Sequence, residues 1–252
     1  VEIEMLSTPL DSSIINAAVT QYWRVSVVEL TASTQSDVVA LVQKGKAQSG
    51  DVVAAEFQSE GRGRLSRSFD APQSTALLFS FYVQPKRSRE DWGWLPLIAG
   101  VSVAQTLSKY GARVKWPNDI LIKDKKVSGL IAEVVGEGVV IGIGINVGMA
   151  ASELPVPTAT SLLIEGAANL TRNQLLADLL NTFERNFARW DRGENEIADV
   201  YLSLSATVGT QVRVEYPDGS TEIALAVAIS PNGELVLDSG AHVQAGDIVH
   251  LR

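Results

Sequence analysis

Lys115-Trp116-Pro117-Asn118-Asp119-Ile120-Leu121-Ile122-Lys123-Asp124-Lys125-Lys126, running on through Val127 to Val135, Gly136-Glu137-Gly138 and Val139 to Val147, is the stretch that decides the fold. Ile120 to Ile122 and Val127 to Val135 are β-rich runs divided by the polar turn Asp124-Lys125-Lys126, and the glycine-flanked turn at 136–138 leads into a further run ending at Val147. With Arg113 to Trp116 ahead of them, these runs predict an antiparallel meander. Pro117 cannot donate to a sheet and biases Trp116 to an extended conformation, so the first strand ends there and displays Asn118 and Asp119.

Upstream, Val25 to Leu30, Asp51 to Phe57 and Leu77 to Val83 predict strands, and Thr34-Gln35-Ser36-Asp37 resembles a capping box opening a helix that stops near Gly45. Apolar residues at 94, 97, 98, 101, 104 and 107 form a helical stripe that ends before Gly111. Residues 1–24 carry no strong periodicity. Downstream, 148–160 is a proline-containing loop, and Thr171 with Gln174 opens an amphipathic helix whose stripe runs from Leu175 to Trp190. A short helix is expected over 194–204. From about residue 205 short strands crowd together around the turns Pro217-Asp218-Gly219 and Pro231-Asn232-Gly233, which predicts a small β-barrel. The expected division is therefore 1–204 and 205–252, in an α+β chain.

Composition narrows the function classes. A chain of 252 residues with 46% hydrophobic and 20% charged residues can bury a full core. Its net charge of −8 speaks against nucleic acid as a partner of the surface as a whole. With no cysteine and only His242 and His250, no metal site is assigned to protein side chains. The longest apolar run, 131–147, is broken by Glu133 and Glu137, and Glu2 and Glu4 stand where a signal peptide would be basic. The expectation is a cytoplasmic protein without a membrane partner; edge strands leave a homodimer open.

Three places carry residues suited to chemistry. Gly61-Arg62-Gly63-Arg64-Leu65-Ser66-Arg67 is too polar for a core element and offers guanidinium forks and free backbone N–H groups to an anion, although such loops are often merely solvated. Lys115 to Asp119, with Lys126 returned by the hairpin, brings a lysine, an amide and a carboxylate toward one end of the sheet; a plain turn with solvated charges has the same composition. Gly142-Ile143-Gly144-Ile145-Asn146 strips side chains from one strand face, which suits a flat ligand or simply close packing. The Gly-x-x-x-x-Gly-Lys-Ser/Thr and Gly-x-Gly-x-x-Gly nucleotide motifs are missing from the sequence.

Together with Ser33-Thr34, Gln58 and Gly129, these motifs closely resemble the biotin protein ligase family, in order and spacing, over about residues 28–252. The resemblance implies a catalytic domain similar to class II aminoacyl-tRNA synthetases, with a mixed, largely antiparallel sheet, followed by an SH3-like barrel. It implies an enzyme that joins biotin to the α-phosphate of ATP, with Mg²⁺, and passes biotin to a lysine of a biotin carboxyl carrier protein of a carboxylase. Lys126 would lie beside the biotin carboxylate and the phosphoryl group. Ser33, Thr34, Gln35 and Gln58 would read the biotin head group, with Gly144 making room for it. The loop from Gly61 to Phe69 would fold over biotin and the adenylate, Arg62 and Arg64 keeping water from the mixed anhydride, Arg64 with a catalytic share, and Gly61, Gly63, Arg67 and Phe69 joining in binding. Trp116, Asn118, Asp119, Gly129 and Asn146 complete the implied binding set.

Gln35 stands where the family usually has Asn, Glu60 where a small residue is usual, Leu65-Ser66 in place of an Arg-Gly type pair, and Phe69 in place of Trp. Many relatives carry an N-terminal helix-turn-helix domain; the short stretch ahead of residue 28 leads us to expect ligase without repressor activity. A lipoate or octanoate transferase or ligase is the neighbouring alternative within the same architecture. A nucleic-acid module built on the arginine loop and a catalytically dead biotin-binding regulator are the alternatives of other classes.

Overall fold

The structure is a computed structural model that describes residues 6–64, 67–194, 196–244 and 246–251. The sequence readings of Glu2, Glu4, Leu65 and Ser66 lie outside the described residues. The chain runs α1 (Ser12–Ala18), β1 (Arg24–Thr31), α2 (Thr34–Gln43), β2 (Asp51–Gln58), β3 (Ala76–Val83), α3 (Trp94–Thr106), β4 (Arg113–Lys115), β5 (Asp119–Ile122), β6 (Lys125–Val135), β7 (Gly138–Asn146), α4 (Arg172–Asp191) and α5 (Glu196–Leu204). Then come β8 (Gln211–Glu215), β9 (Thr221–Ile229), β10 (Leu235–Leu237), β11 (His242–Val243) and β12 (Asp247–His250).

A seven-stranded sheet has the order β1-β2-β3-β7-β6-β5-β4. Only β1 and β2 pair in parallel; the remaining neighbours are antiparallel, so the sheet is mixed and the predicted meander forms its second half. A five-stranded antiparallel sheet, β11-β10-β9-β8-β12, follows.

The pleat of the large sheet sorts its residues onto two faces. Phe79, Phe81, Ile141, Ile143 and Leu130 point to one side, where they form the main core with α3 and α4. Apolar burial there removes most of the water-exposed hydrophobic area and holds the helices on the sheet. The other face carries two small clusters, Val38, Val39, Val53, Tyr82, Val135 and Val140 under α2, and Ala71, Ala76, Leu78 and Met149. Between them Ser80, Gly142 and Gly144 offer little or no side chain, and neighbouring side chains approach the backbone there.

The second sheet meets the first through the turn Pro231-Asn232-Gly233. Trp94 Nε1 donates to Pro231 O at 2.8 Å and Trp116 Nε1 to Gly233 O at 3.2 Å. Gly93 permits the approach: a Cβ there would stand 2.1 Å from Asn232 O.

Some local expectations are corrected. The stretch before residue 24 contains α1, N-capped by the Asp11 side chain; only Ile15 of this helix is buried, so it has no stripe to detect. The capping box at Thr34 does not form: Ser33 is the N-cap, and Gln58 Oε1, from the end of β2, takes the Thr34 N–H at 2.7 Å. Beyond Thr106 the predicted α3 tightens to a 3₁₀ turn before Gly111, whose φ of 69° closes it. The two-residue β11 is too short to leave a pattern. Among the described residues no helix is long and apolar enough to cross a membrane.

Candidate active site

The stretch of the large sheet around Ser80, Gly142 and Gly144 is the floor of a cavity of about 320 Å³, bordered by Arg62, Gly63, Arg64, Arg67, Ser68 and Phe69 and by residues of the second sheet. Two ends of this cavity differ chemically.

One end is polar without charge. Thr34 Oγ1 lies 2.9 Å from both Gln58 Oε1 and Ser80 Oγ, tying α2 to β2 and β3. Because the Thr34 proton goes to the amide oxygen, Ser80 is the donor of that pair. Gln35 Nε2 donates to Val140 O at 3.2 Å, and its Oε1 stands 2.7 Å from where a Cβ on Gly142 would be, so this glycine makes room for the Gln35 side chain. Ser33 and Gln35 line the cavity, and their Oγ and Oε1 atoms are buried with no hydrogen-bond partner among the described residues. Such groups cost about 1–3 kcal/mol each until a partner arrives.

The other end is cationic. Between Ile120 and Leu121 the β5–β6 register shifts: Ile120 pairs with Ser128 and Leu121 with Lys126, leaving Val127 as an extra residue. This bulge changes the parity of β6. Without it Lys126 would share the core face with Ser128 and Leu130; with it Lys126 joins Asp119 and Gly129 on the cavity face. Lys126 Nζ sits 2.6 Å from Asp119 Oδ1, as the hairpin reading expected. Gly129 lies beneath the lysine, a Cβ there being 3.1 Å from Lys126 Cε and Nζ. Burial pulls the Lys115 ammonium below the usual lysine range, with Asp119 opposing and Lys126 reinforcing the shift.

On either side of residues 65 and 66 in the loop, Arg62 and Ser68 form a bridge, Gly63 N donates to Arg67 O at 2.7 Å and Phe69 N to Gly61 O at 2.9 Å. Arg64 Nη1 donates to Asn118 Oδ1 at 3.1 Å, and burial lowers its pKa. Arg62 faces Glu133 at 3.4 Å and Arg67 pairs with Asp247 of β12. Phe69 lies over Gly144, where a Cβ would come within 2.7 Å of the ring.

Of the residues singled out in the sequence, Gly61 and Asn146 do not line the cavity. Gly61 is buried under Phe69 O, and Asn146 Nδ2 donates to Thr160 O at 2.9 Å. The other residues of the implied binding set, Ser33 to Gln35, Gln58, Arg62 to Arg64, Arg67, Phe69, Trp116, Asn118, Asp119, Lys126, Gly129 and Gly144, do line it. Among the described residues no group of three or more His, Cys, Asp or Glu is placed to hold a metal.

Residues 27–149 match the Biotin/lipoate A/B protein ligase family. The biotin–[acetyl-CoA-carboxylase] ligase of Mycobacterium tuberculosis is 38% identical over 241 residues, 91% of this chain and 90% of that protein. The chain belongs to the biotin protein ligase family. The bifunctional ligase/repressor BirA of Escherichia coli is 33% identical over 193 residues, 68% of this chain and 60% of that protein. Among solved structures, the biotin protein ligase from Aquifex aeolicus in complex with biotin and ATP superposes with a TM-score of 0.76 at 26% identity, covering 90% of this chain and 98% of that one.

In this biotin protein ligase chain, sequence reasoning missed Ser80 and the second sheet's contribution, Glu215, Asp247 and Val249 on the cavity rim. Ser80 sits unremarked in a hydrophobic strand. The rim residues are far from the motifs in sequence, 180 positions separating Arg67 from Asp247.

Proposed function

We propose that this chain is an ATP-dependent biotin–protein ligase that forms biotinyl-5′-AMP and transfers biotin to a lysine of a biotin carboxyl carrier domain. The observation that carries this reading is that Ser33 and Gln35, whose buried Oγ and Oε1 have no hydrogen-bond partner among the described residues, line the same cavity as Lys126 and the loop arginines. An uncharged head with N–H and C=O groups and a carboxylate tail matches both ends, which biotin supplies. A dithiolane or a plain acyl chain would leave the two oxygens unsatisfied, and sites built to bond a polar head discriminate strongly against ligands lacking it.

Two anions must meet for the first step. A biotin carboxylate oxygen attacks the α-phosphorus of ATP, the bond to the bridging oxygen breaks, and pyrophosphate leaves. Lys126 is the fixed cation we assign to the carboxylate and the phosphoryl group, and its pairing with Asp119 orients it before substrate arrives. Arg64, held by Asn118, would face the phosphate, while Arg62, Gly63 and Arg67 close the loop over the mixed anhydride and keep water away. In the second step the acceptor amine attacks the biotinyl carbonyl, the bond to AMP breaks, an amide forms and the amine loses a proton to its surroundings.

Mg²⁺ belongs to this proposal as a companion of ATP. Without a cage of three acidic or imidazole side chains among the described residues, the ion would be held largely by phosphate oxygens, as is usual for nucleotide-bound Mg²⁺, the cavity-wall carboxylates Asp119 and Asp247 being paired with Lys126 and Arg67. It would neutralise phosphate charge. We further read residues 1–204 as a class II aminoacyl-tRNA synthetase-like catalytic domain and 205–252 as an SH3-like domain, a division supported by the two separate sheets.

Pyrophosphate release on adding biotin, lipoate or octanoate in turn tests the reading. Release with biotin alone, lost in Lys126→Ala, is expected; release with lipoate or octanoate instead would transfer the chain to the lipoyl branch, and silence with all three would make it a binding protein without ligase chemistry.

A further inference from the structure

Lys126 stands where the sheet ends. β7 pairs with β6 only as far as Ile145 opposite Ser128, and the bulge loosens the ladder on the β5 side. A segment far along the chain takes the place of β7: Lys126 N donates to Thr158 O and Thr160 N to Lys126 O, both at 2.8 Å, forming a parallel bridge to Ala159. Both backbone groups of the lysine therefore depend on this strap.

The strap is itself anchored at Thr160, which is fully buried. Thr160 Oγ1 donates to Glu165 Oε1 at 2.7 Å, and Glu165 Oε2 accepts from Lys123 Nζ at 2.9 Å. Lys123 sits in the β5–β6 turn, so the contacts close a circuit from that turn through Glu165 and Thr160 back to Lys126. The Glu165 side chain is only 6% exposed and does not line the cavity. Burial opposes its ionisation, but Lys123 and the Thr160 hydroxyl outweigh burial and hold the carboxyl below its ordinary range.

We propose that Glu165 is a positioning residue for Lys126: by holding Thr160 it fixes the backbone from which the lysine reaches the reacting groups. The inference rests on the assignment of Lys126 to the adenylation step. A displacement of about 1 Å at such a group can cost up to roughly a hundredfold in rate.

The test is the kcat and biotin KM of pyrophosphate release for Glu165→Ala, Glu165→Gln and Thr160→Val, in the unmodified chain and in a Lys126→Ala background. Glu165→Ala is expected to lower kcat about tenfold or more and to raise the biotin KM by a clearly smaller factor, since the pocket for the head group is untouched and only the contact to the carboxylate weakens. Glu165→Gln should recover most of the rate, its amide oxygen still accepting from Thr160. In the Lys126→Ala background Glu165→Ala should change the residual rate by less than about twofold, because a residue acting through the lysine has nothing left to act on. An unchanged kcat, a parallel rise in KM, or the same fold loss in both backgrounds would overturn the proposal. If Glu165→Ala does not fold, Thr160→Val carries the same expectations. Full activity of Lys126→Ala alone would instead refute the functional assignment on which the inference stands.

Discussion

At the scale of single residues the site depends on what two side chains lack. Ser33 Oγ is buried with no hydrogen-bond partner among the described residues, so Ser33→Ala should leave the thermal stability of the free protein unchanged or slightly raised while weakening biotin binding about tenfold; calorimetric Tm and titration together check the two signs. A fall in both would mean the hydroxyl supports the fold instead. Gly129 is the complementary case. An alanine there brings a Cβ to 3.1 Å from Lys126 Nζ, and the flexible lysine gives way before the strand does, so Gly129→Ala should fold normally and lose pyrophosphate release by about tenfold or more. The convergence of Lys126 and Asp119 was legible in the sequence because Pro117 and the Asp124-Lys125-Lys126 turn fix where the hairpin begins and returns. The bulge that aims Lys126 at the cavity was not: one extra residue within an apolar run leaves no trace in composition.

At the scale of elements the strong periodicities held, and departures occur where an element is secured by a partner distant in sequence. α2 has no capping box because Gln58 supplies the acceptor, and the strap at 158–160 looks like an ordinary loop until it is set beside β6. The buried pair Glu56 and Arg172 is another such tie. Arg172 Nη2 lies 2.6 Å from Glu56 Oε2 and donates to Thr8 O, while Glu56 Oε1 accepts from Leu10 N, so α4, β2 and the segment leading to α1 share one ion pair. Burial disfavours the Glu56 carboxylate, yet the Leu10 N–H and Arg172 more than compensate and hold its pKa below normal. A depressed folded-state pKa contributes stability that is complete above the ordinary glutamate value of about 4.3 and disappears as pH falls through the lower folded value. Melting curves between pH 7 and acid should therefore converge for the unmodified chain and Glu56→Gln below that value, the variant being less stable at neutral pH; a constant gap at every pH would contradict this account.

At the scale of the whole molecule the site is shared between two sheets. The second sheet is seated by Trp94 and Trp116 on the 231–233 turn and by the bare backbone of Gly93. Gly93→Ala should unseat it, costing about 1–3 kcal/mol as overpacking does and reducing adenylation through the lost rim of Asp247 and Glu215; unaltered stability and rate would mean that the sheet docks elsewhere. The existence of a small β-rich C-terminal unit was legible from the close turn spacing, but its place at the cavity mouth was not, because nothing in a local pattern reports which surfaces of separate sheets meet. On the proposed function, the uncharged and cationic ends of one cavity together activate biotin for transfer to a protein lysine. Mass spectrometry of a biotin carboxyl carrier domain incubated with the protein, biotin, ATP and Mg²⁺ tests it most directly: the account predicts addition of one biotinyl group, abolished when the acceptor lysine is replaced by arginine or when Lys126 is replaced by alanine, whereas an unmodified carrier, or modification that survives Lys126→Ala, would contradict it.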